Sequence, residues 1–159
     1  MESIKALSRG TKLVLGAGPL LFLSLFFNWQ MLEIDYGPAG IAKQPQDGWD
    51  AWGLVIALLV IATVTLVVLV QFTDVEMSED VPWESVTLVL GFVTGAFAVL
   101  KNLTDANSTW TSYGFVVLAG AFAYGTYLIW AETHTTRNPL LGRRKLPGRR
   151  KRRRFSSAA

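Results

Sequence analysis

Residues 53–72 run for 20 positions without one charged side chain. About 20 apolar residues in a helix match a bilayer core of roughly 30 Å. A soluble helix keeps a polar face, and this run has none. Its polar content is Thr63, Thr65 and Gln71, and a threonine hydroxyl can return to its own helix backbone. This one segment sets the class as an all-α membrane protein.

Three further segments meet or approach the same length: 13–29, 85–100 and 113–130. The expected fold is an antiparallel four-helix transmembrane bundle over residues 1–136, with spans at about 13–29, 53–72, 85–100 and 113–130. The third span is the shortest. A disordered polybasic tail is expected over 137–159. Lys5, Arg9 and Lys12 before the first apolar run resemble the start of a signal peptide. The run ends Phe26, Phe27, Asn28, Trp29 with no small-residue cleavage pattern, so the first span is expected to stay.

Charge supports this layout. Only 17% of the 159 residues are charged, against about a quarter in soluble domains. Of the 15 Lys and Arg, 10 lie in 137–159, where there is no Asp or Glu. Residues 1–136 hold 5 basic against 12 acidic groups, a net −7 beside a tail of +10. Basic residues near spans mark the cytoplasmic side. Lys5, Arg9 and Lys12 at one end and the tail at the other place both termini in the cytoplasm of a cell membrane. Loops 30–52 and 101–112 then face outward. The acidic loop 73–84 faces inward.

The six tryptophans, Trp29, Trp49, Trp52, Trp83, Trp110 and Trp130, fall at or beside the expected span ends. That is the interfacial position of amphipathic rings, and it accounts for them without an aromatic ligand cage. Lipid gives helices no hydrophobic reason to associate, so small residues must let them approach. Span one offers Gly16, Ala17, Gly18 and Ser24. Span three carries Gly91 and Gly95, four apart. Span four carries Gly120 and Gly125 among alanines. Spans one, three and four are expected in close contact, with span two the most exposed to lipid. The ridges of spans three and four also suit an oligomer interface.

Chemistry is sparse. Cysteine is absent and His134 is the only histidine, so no disulfide, thiolate or multi-histidine metal site can form in one chain. Ser24, Thr63, Thr65, Thr87 and Thr94 have no base within the spans to activate them. No cofactor, metal or catalytic residue is expected. No charged group lies deep in a span, which weighs against a proton-coupled carrier or ion path. Glu33, Asp35, Asp47 and Asp50 offer a weak cation site, although solvated loop carboxylates explain them as well. The loop 30–52 should be turn-rich, given Gly37, Pro38, Gly40 and Pro45. Asp50 is placed to begin the second helix. Asn102 and Asn107 each fit the glycosylation acceptor pattern, but both lie close to the membrane.

The tail residues Arg143, Arg144, Lys145, Arg149, Arg150, Lys151, Arg152, Arg153 and Arg154 should be drawn to anionic lipid headgroups by about 1 kcal/mol per basic residue at the surface. A pure topology anchor is the alternative, and nucleic-acid binding is a weaker one. Ser156 follows Arg153, Arg154 and Phe155 as a basophilic kinase would prefer.

The layout resembles the small uncharacterised four-span membrane proteins common in actinobacteria. The carrying features are the aromatic end of span one (Phe26, Phe27, Asn28, Trp29), the segment Gly48, Trp49, Asp50, Ala51, Trp52, and a fourth span opening Tyr113, Gly114. Asn28 stands where a proline is often met. The resemblance implies a cytoplasmic-membrane location and no catalytic residues. Claudin-like proteins share the span count, but their paired cysteines are missing here. The function expected is non-enzymatic, a scaffold or accessory subunit of a membrane complex with a membrane-protein partner. A small-molecule transporter or channel component acting as an oligomer is the alternative.

Overall fold

The computed structural model describes residues 7–73, 81–105 and 107–137. In chain order they form α1 (Arg9–Ser24), β1 (Asn28–Asp35), a 3-10 turn (Gly37–Ala39), β2 (Ile41–Asp47), α2 (Ala51–Phe72), α3 (Trp83–Thr104) and α4 (Trp110–Arg137). Three helices are long and apolar enough to cross a membrane: Ala51–Phe72, Trp83–Thr104 and Trp110–Thr135.

The first helix differs from its expected span. It begins at Arg9, where Ser8 accepts a hydrogen bond from the Thr11 amide at 3.2 Å. It ends at Ser24 after 16 residues, about 24 Å of rise. Tight bonds from the amides of Leu25, Phe26 and Phe27 to the carbonyls three residues back wind it down. Trp29 therefore lies in β1 rather than on the helix.

The third helix is longer than expected, not the shortest. It runs 22 residues and takes in Lys101. A lysine normally closes an apolar run. Here its charge is met by carboxylates, so the helix carries on to Thr104.

The loop between α1 and α2 is an antiparallel hairpin, which the abundance of turn residues concealed. Leu32 pairs with Gln44, Glu33 with Lys43 and Ile34 with Ala42. Gly37 at φ +62° and Gly40 at φ +99° supply the left-handed positions of its turn. Asp35 closes the turn by accepting from the Gly37 amide at 2.8 Å. The register slips between Asn28 and Gln30, leaving Trp29 at an irregularity in the ladder. Such a bulge re-aims a side chain. The segment between α3 and α4 joins the other side of β1. The Thr109 amide donates to the Trp29 carbonyl at 3.0 Å, and the Met31 amide donates to the Asn107 carbonyl at 3.3 Å. Both loops thus form one cap over one end of the helices.

In the helical body α4 packs extensively on α1 and on α3, and α2 packs on α3 and less on α1. Expected contact between the first, third and fourth spans is seen through α4, with α1 and α3 flanking it. The second span is not the most exposed. One third of the most apolar stretch of α2 is buried, as in α4, against 28% in α3. The core joins Val14, Leu21, Ile56, Val60, Ala98 and Phe122. Buried threonines satisfy themselves within their helices: Thr63 donates to Leu59 O at 2.7 Å and Thr94 to Leu90 O at 2.8 Å.

The four packing glycines divide. Gly91 faces Thr126, which leaves no room for a Cβ, and a Cβ on Gly125 would stand 3.0 Å from Leu13 and Val14. A Cβ on Gly95 would meet Ala123 at an ordinary 3.5 Å. Gly120 has nothing within 4 Å and is exposed. It lies with Gly95 and Ala123 along an open groove between α3 and α4. Gly10, outside the expected first span, does pack. A Cβ there would lie 2.7 Å from both Gly125 O and Ile129 N.

Candidate functional site

The most unusual chemistry lies where the cap meets the helices. Lys101, in the last turn of α3, has 0% of its surface exposed. A buried ammonium is tolerated only when paired. Its Nζ lies 2.5 Å from Asp50 Oδ2 and 3.0 Å from Asp105 Oδ2. It also stands 5.2 Å from the centre of the Trp29 ring, within cation–π range.

Each partner arrives from a different element. Asp50 is the N-cap of α2, and its other carboxylate oxygen accepts from the Gly53 amide at 2.7 Å. One side chain thus starts a helix and pairs with a second helix. Asp105 sits one turn beyond Lys101, at the spacing where side chains on a helix meet. Trp29 is fully buried and stacks on Phe115 at 5.1 Å. Its indole N–H donates to the Ser24 carbonyl at 2.9 Å.

Gly48 and Gly53 make the junction possible. A Cβ on Gly48 would stand 2.9 Å from the Trp29 indole nitrogen and 3.0 Å from the Leu25 backbone. A Cβ on Gly53 would collide with the Gly48 carbonyl oxygen. The Gly48 amide also donates to Leu25 O at 2.8 Å. The segment from Gly48 to Gly53 is therefore a backbone-to-backbone joint that carries Asp50 to Lys101.

The arrangement ties the cap to α2 and α3. A lysine with no exposed surface cannot meet a solute, and both carboxylates are engaged. Asp50 keeps 36% of its side chain exposed and Asp105 only 6%. With one cation between two carboxylates, water at Asp50 and the helix N-terminus share the excess negative charge.

The four carboxylates considered for a cation do not converge. Glu33 pairs with Lys43 at 2.8 Å and Asp50 with Lys101. Asp35 and Asp47 sit at opposite ends of the hairpin, and each accepts a backbone amide two residues on. Among the described residues, no three His, Asp or Glu are grouped to hold a metal ion.

The exposed Glu33–Lys43 pair carries a pH expectation. Its hydrogen bond, then its charge, holds the Lys43 pKa above the ordinary 10.5. A raised pKa gives stability that is present below 10.5 and lost as pH rises through the higher folded value. Amide exchange at Glu33 and Lys43 is expected to quicken only above that range, and Lys43→Met should abolish the pH dependence. A hairpin whose exchange, corrected for intrinsic base catalysis, stays level across that range would refute the pair's contribution.

The tryptophans take varied positions. Trp110 is 88% exposed, while Trp49 and Trp52 are moderately exposed. Trp49 meets Phe22 and Phe26 edge-on, and Trp52 meets Phe97. Trp83 and Trp130 are half-buried at the opposite end. Trp29 differs from the other five because the bulge turns it inward. The Asn102 side-chain amide donates to Ser112 Oγ at 2.7 Å, whereas Asn107 is exposed at φ +53°. The tail residues named for lipid binding, together with Ser156 and residues 74–80, lie outside the described residues.

Sequence reading missed the Lys101 cluster. Half of it was visible as Lys101 and Asp105 four apart at the end of an apolar run. Asp50, 51 positions earlier, carried no such signal. No protein-family model, curated protein or solved structure matches the chain.

Proposed function

We propose that this chain is a four-span, non-enzymatic protein of the cell membrane, a scaffold or accessory subunit with both termini in the cytoplasm. Its helices form an antiparallel bundle, and the hairpin cap is its rigid outward piece. The tail holds anionic lipid headgroups or an acidic partner at the inner surface.

One observation carries this reading. Among the described residues, every charged side chain lies within about two turns of a helix end or in the cap. The middles of all four helices are left to apolar and self-satisfied hydroxyl side chains. Charged groups inside a membrane mark ion and substrate paths, and this body is arranged as a support. The first helix ends at Ser24 in a tight turn at residues 25–27, and α4 packs along it.

Liposomes containing the purified protein are expected to show no substrate-dependent flux. Robust flux of a small solute would overturn the supporting role in favour of a carrier. The absence of cysteine makes the orientation easy to test. A membrane-impermeant thiol reagent should fail to label Ala159→Cys from outside intact cells, and labelling there would reverse the assignment. A peptide of residues 138–159 should sediment with anionic vesicles and release with salt. Equal binding to neutral vesicles would remove the electrostatic role of the tail.

A further inference from the structure

At the end opposite the cap, α2, α3 and α4 part around an open cleft of about 90 Å³. Its walls include Val67 and Val70 of α2, Trp83 and Glu84 of α3, and Ile129 and Thr133 of α4. Gln71, Thr87 and Thr133 interrupt the apolar walls, and Glu84 adds one negative charge in the first turn of α3.

We propose that this cleft docks the root of the chain's own C-terminal segment, with Leu140 and Leu141 at its mouth and Arg143 and Arg144 beside Glu84. The path of the chain argues for this occupant. Thr133 lines the cleft, and α4 ends four residues on at Arg137. The described chain stops there, and 22 residues follow. One further turn of α4 rises about 6 Å beyond Thr133. Leu140 lies three residues past Arg137, so its reach is about 10 Å at most. That is enough to double back to this cleft and little further.

The order of residues fits the same place. Pro139 cannot continue a helix without clash and loss of a hydrogen bond, and it biases Asn138 toward extended backbone. Two leucines follow at once, then Gly142, then Arg143, Arg144 and Lys145. The leucines would meet Val67, Val70 and Ile129, and the first cations would meet the carboxylate at the rim. Residues 149–154 remain outside, available to a membrane surface. Docking of 140–141 therefore does not depend on whether the distal cluster binds lipid, and each can fail alone.

Disulfide trapping in the full chain, held in lipid nanodiscs, tests this directly. The chain has no cysteine of its own, and a disulfide forms only when Cα atoms come within about 7 Å. Leu141→Cys paired with Val70→Cys should oxidise at least about tenfold faster than Ser156→Cys paired with Val70→Cys, because docking raises the local concentration beyond that of a loose tether. Leu141→Cys paired with Arg9→Cys on another helix should behave like the slow control. Gln71→Cys replaces Val70→Cys should the latter not fold. Adding Glu84→Lys should slow the fast pair. The same rates are expected in neutral and anionic nanodiscs. Trapping no faster than the controls overturns the proposal, as does rapid trapping only in anionic lipid, because the membrane surface would then be placing the tail. A cleft filled by an acyl chain would give the slow result in both lipids.

Discussion

Lys101→Ala is expected to destabilise the protein by about 3–5 kcal/mol, the cost of leaving buried charge without its partner. The substitution removes the cation between Asp50 and Asp105, and the Asp105 side chain is 94% buried. It also removes the cation over the buried Trp29 ring. For a chain of this size the thermal midpoint should fall on the order of 10 °C, read by loss of monodisperse protein in detergent after heating. The companion variant separates charge from packing. Lys101→Met with Asp105→Leu and Asp50→Asn removes the ions together, keeps apolar bulk and retains an N-cap acceptor. It should recover most of the loss, because a buried ion pair is often no better than an apolar replacement. A single Lys101→Ala costing under about 1 kcal/mol would put this lysine among ordinary surface pairs. A triple variant worse than the single one would show that the cluster stabilises through its charges.

Gly53→Ala is the second large effect. Its new methyl would meet the Gly48 carbonyl oxygen, and backbone lies on both sides of the contact. Neither can move without shifting Asp50, which caps α2 and holds Lys101. Overpacking and a disturbed cap together should cost about 3 kcal/mol. Gly120→Ala and Gly16→Ala are the matched comparisons, since neither glycine has any atom within 4 Å of the added methyl. Both should be neutral or gain about 0.5–1 kcal/mol from the better helix propensity of alanine. Heating the three variants side by side in one detergent orders them. If Gly53→Ala is as silent as Gly120→Ala, the joint at Gly48 and Gly53 is loose enough to admit a methyl group.

Much of the helical architecture was legible because its causes are local. The uncharged run at 53–72 became α2 with two added residues at its start, and Asp50 became its cap as a carboxylate before an apolar run should. Gly91 and Gly125 packed closely because a missing Cβ allows helices to approach. Gly120 had the same composition around it and is exposed along an open groove. A small residue marks where approach is possible, and only the rotation of the helix decides which side uses it.

The misplaced ends have a common origin. Span one was read through Trp29 and span three was stopped at residue 100, in both cases by hydropathy alone. Trp29 is apolar, so it extended the first run, yet a bulge in β1 places it under the cap. Lys101 is charged, so it closed the third run, yet two carboxylates allow α3 to absorb it. The hairpin was hidden by Gly37, Pro38, Gly40 and Pro45, which mark turns without showing what they join.

By itself the sequence determined that three long apolar helices form, where their charges gather, and which residue begins α2. Those outcomes follow from hydropathy, capping and charge within a few turns of chain. Only the tertiary structure decided that Lys101 is buried, that Trp29 turns inward and that the loops at that end form one cap. Each of these depends on groups brought together from distant positions, with Asp50 and Lys101 separated by 51 residues. A side chain's hydropathy is a local property, whereas the partner that makes its burial affordable is supplied by the fold.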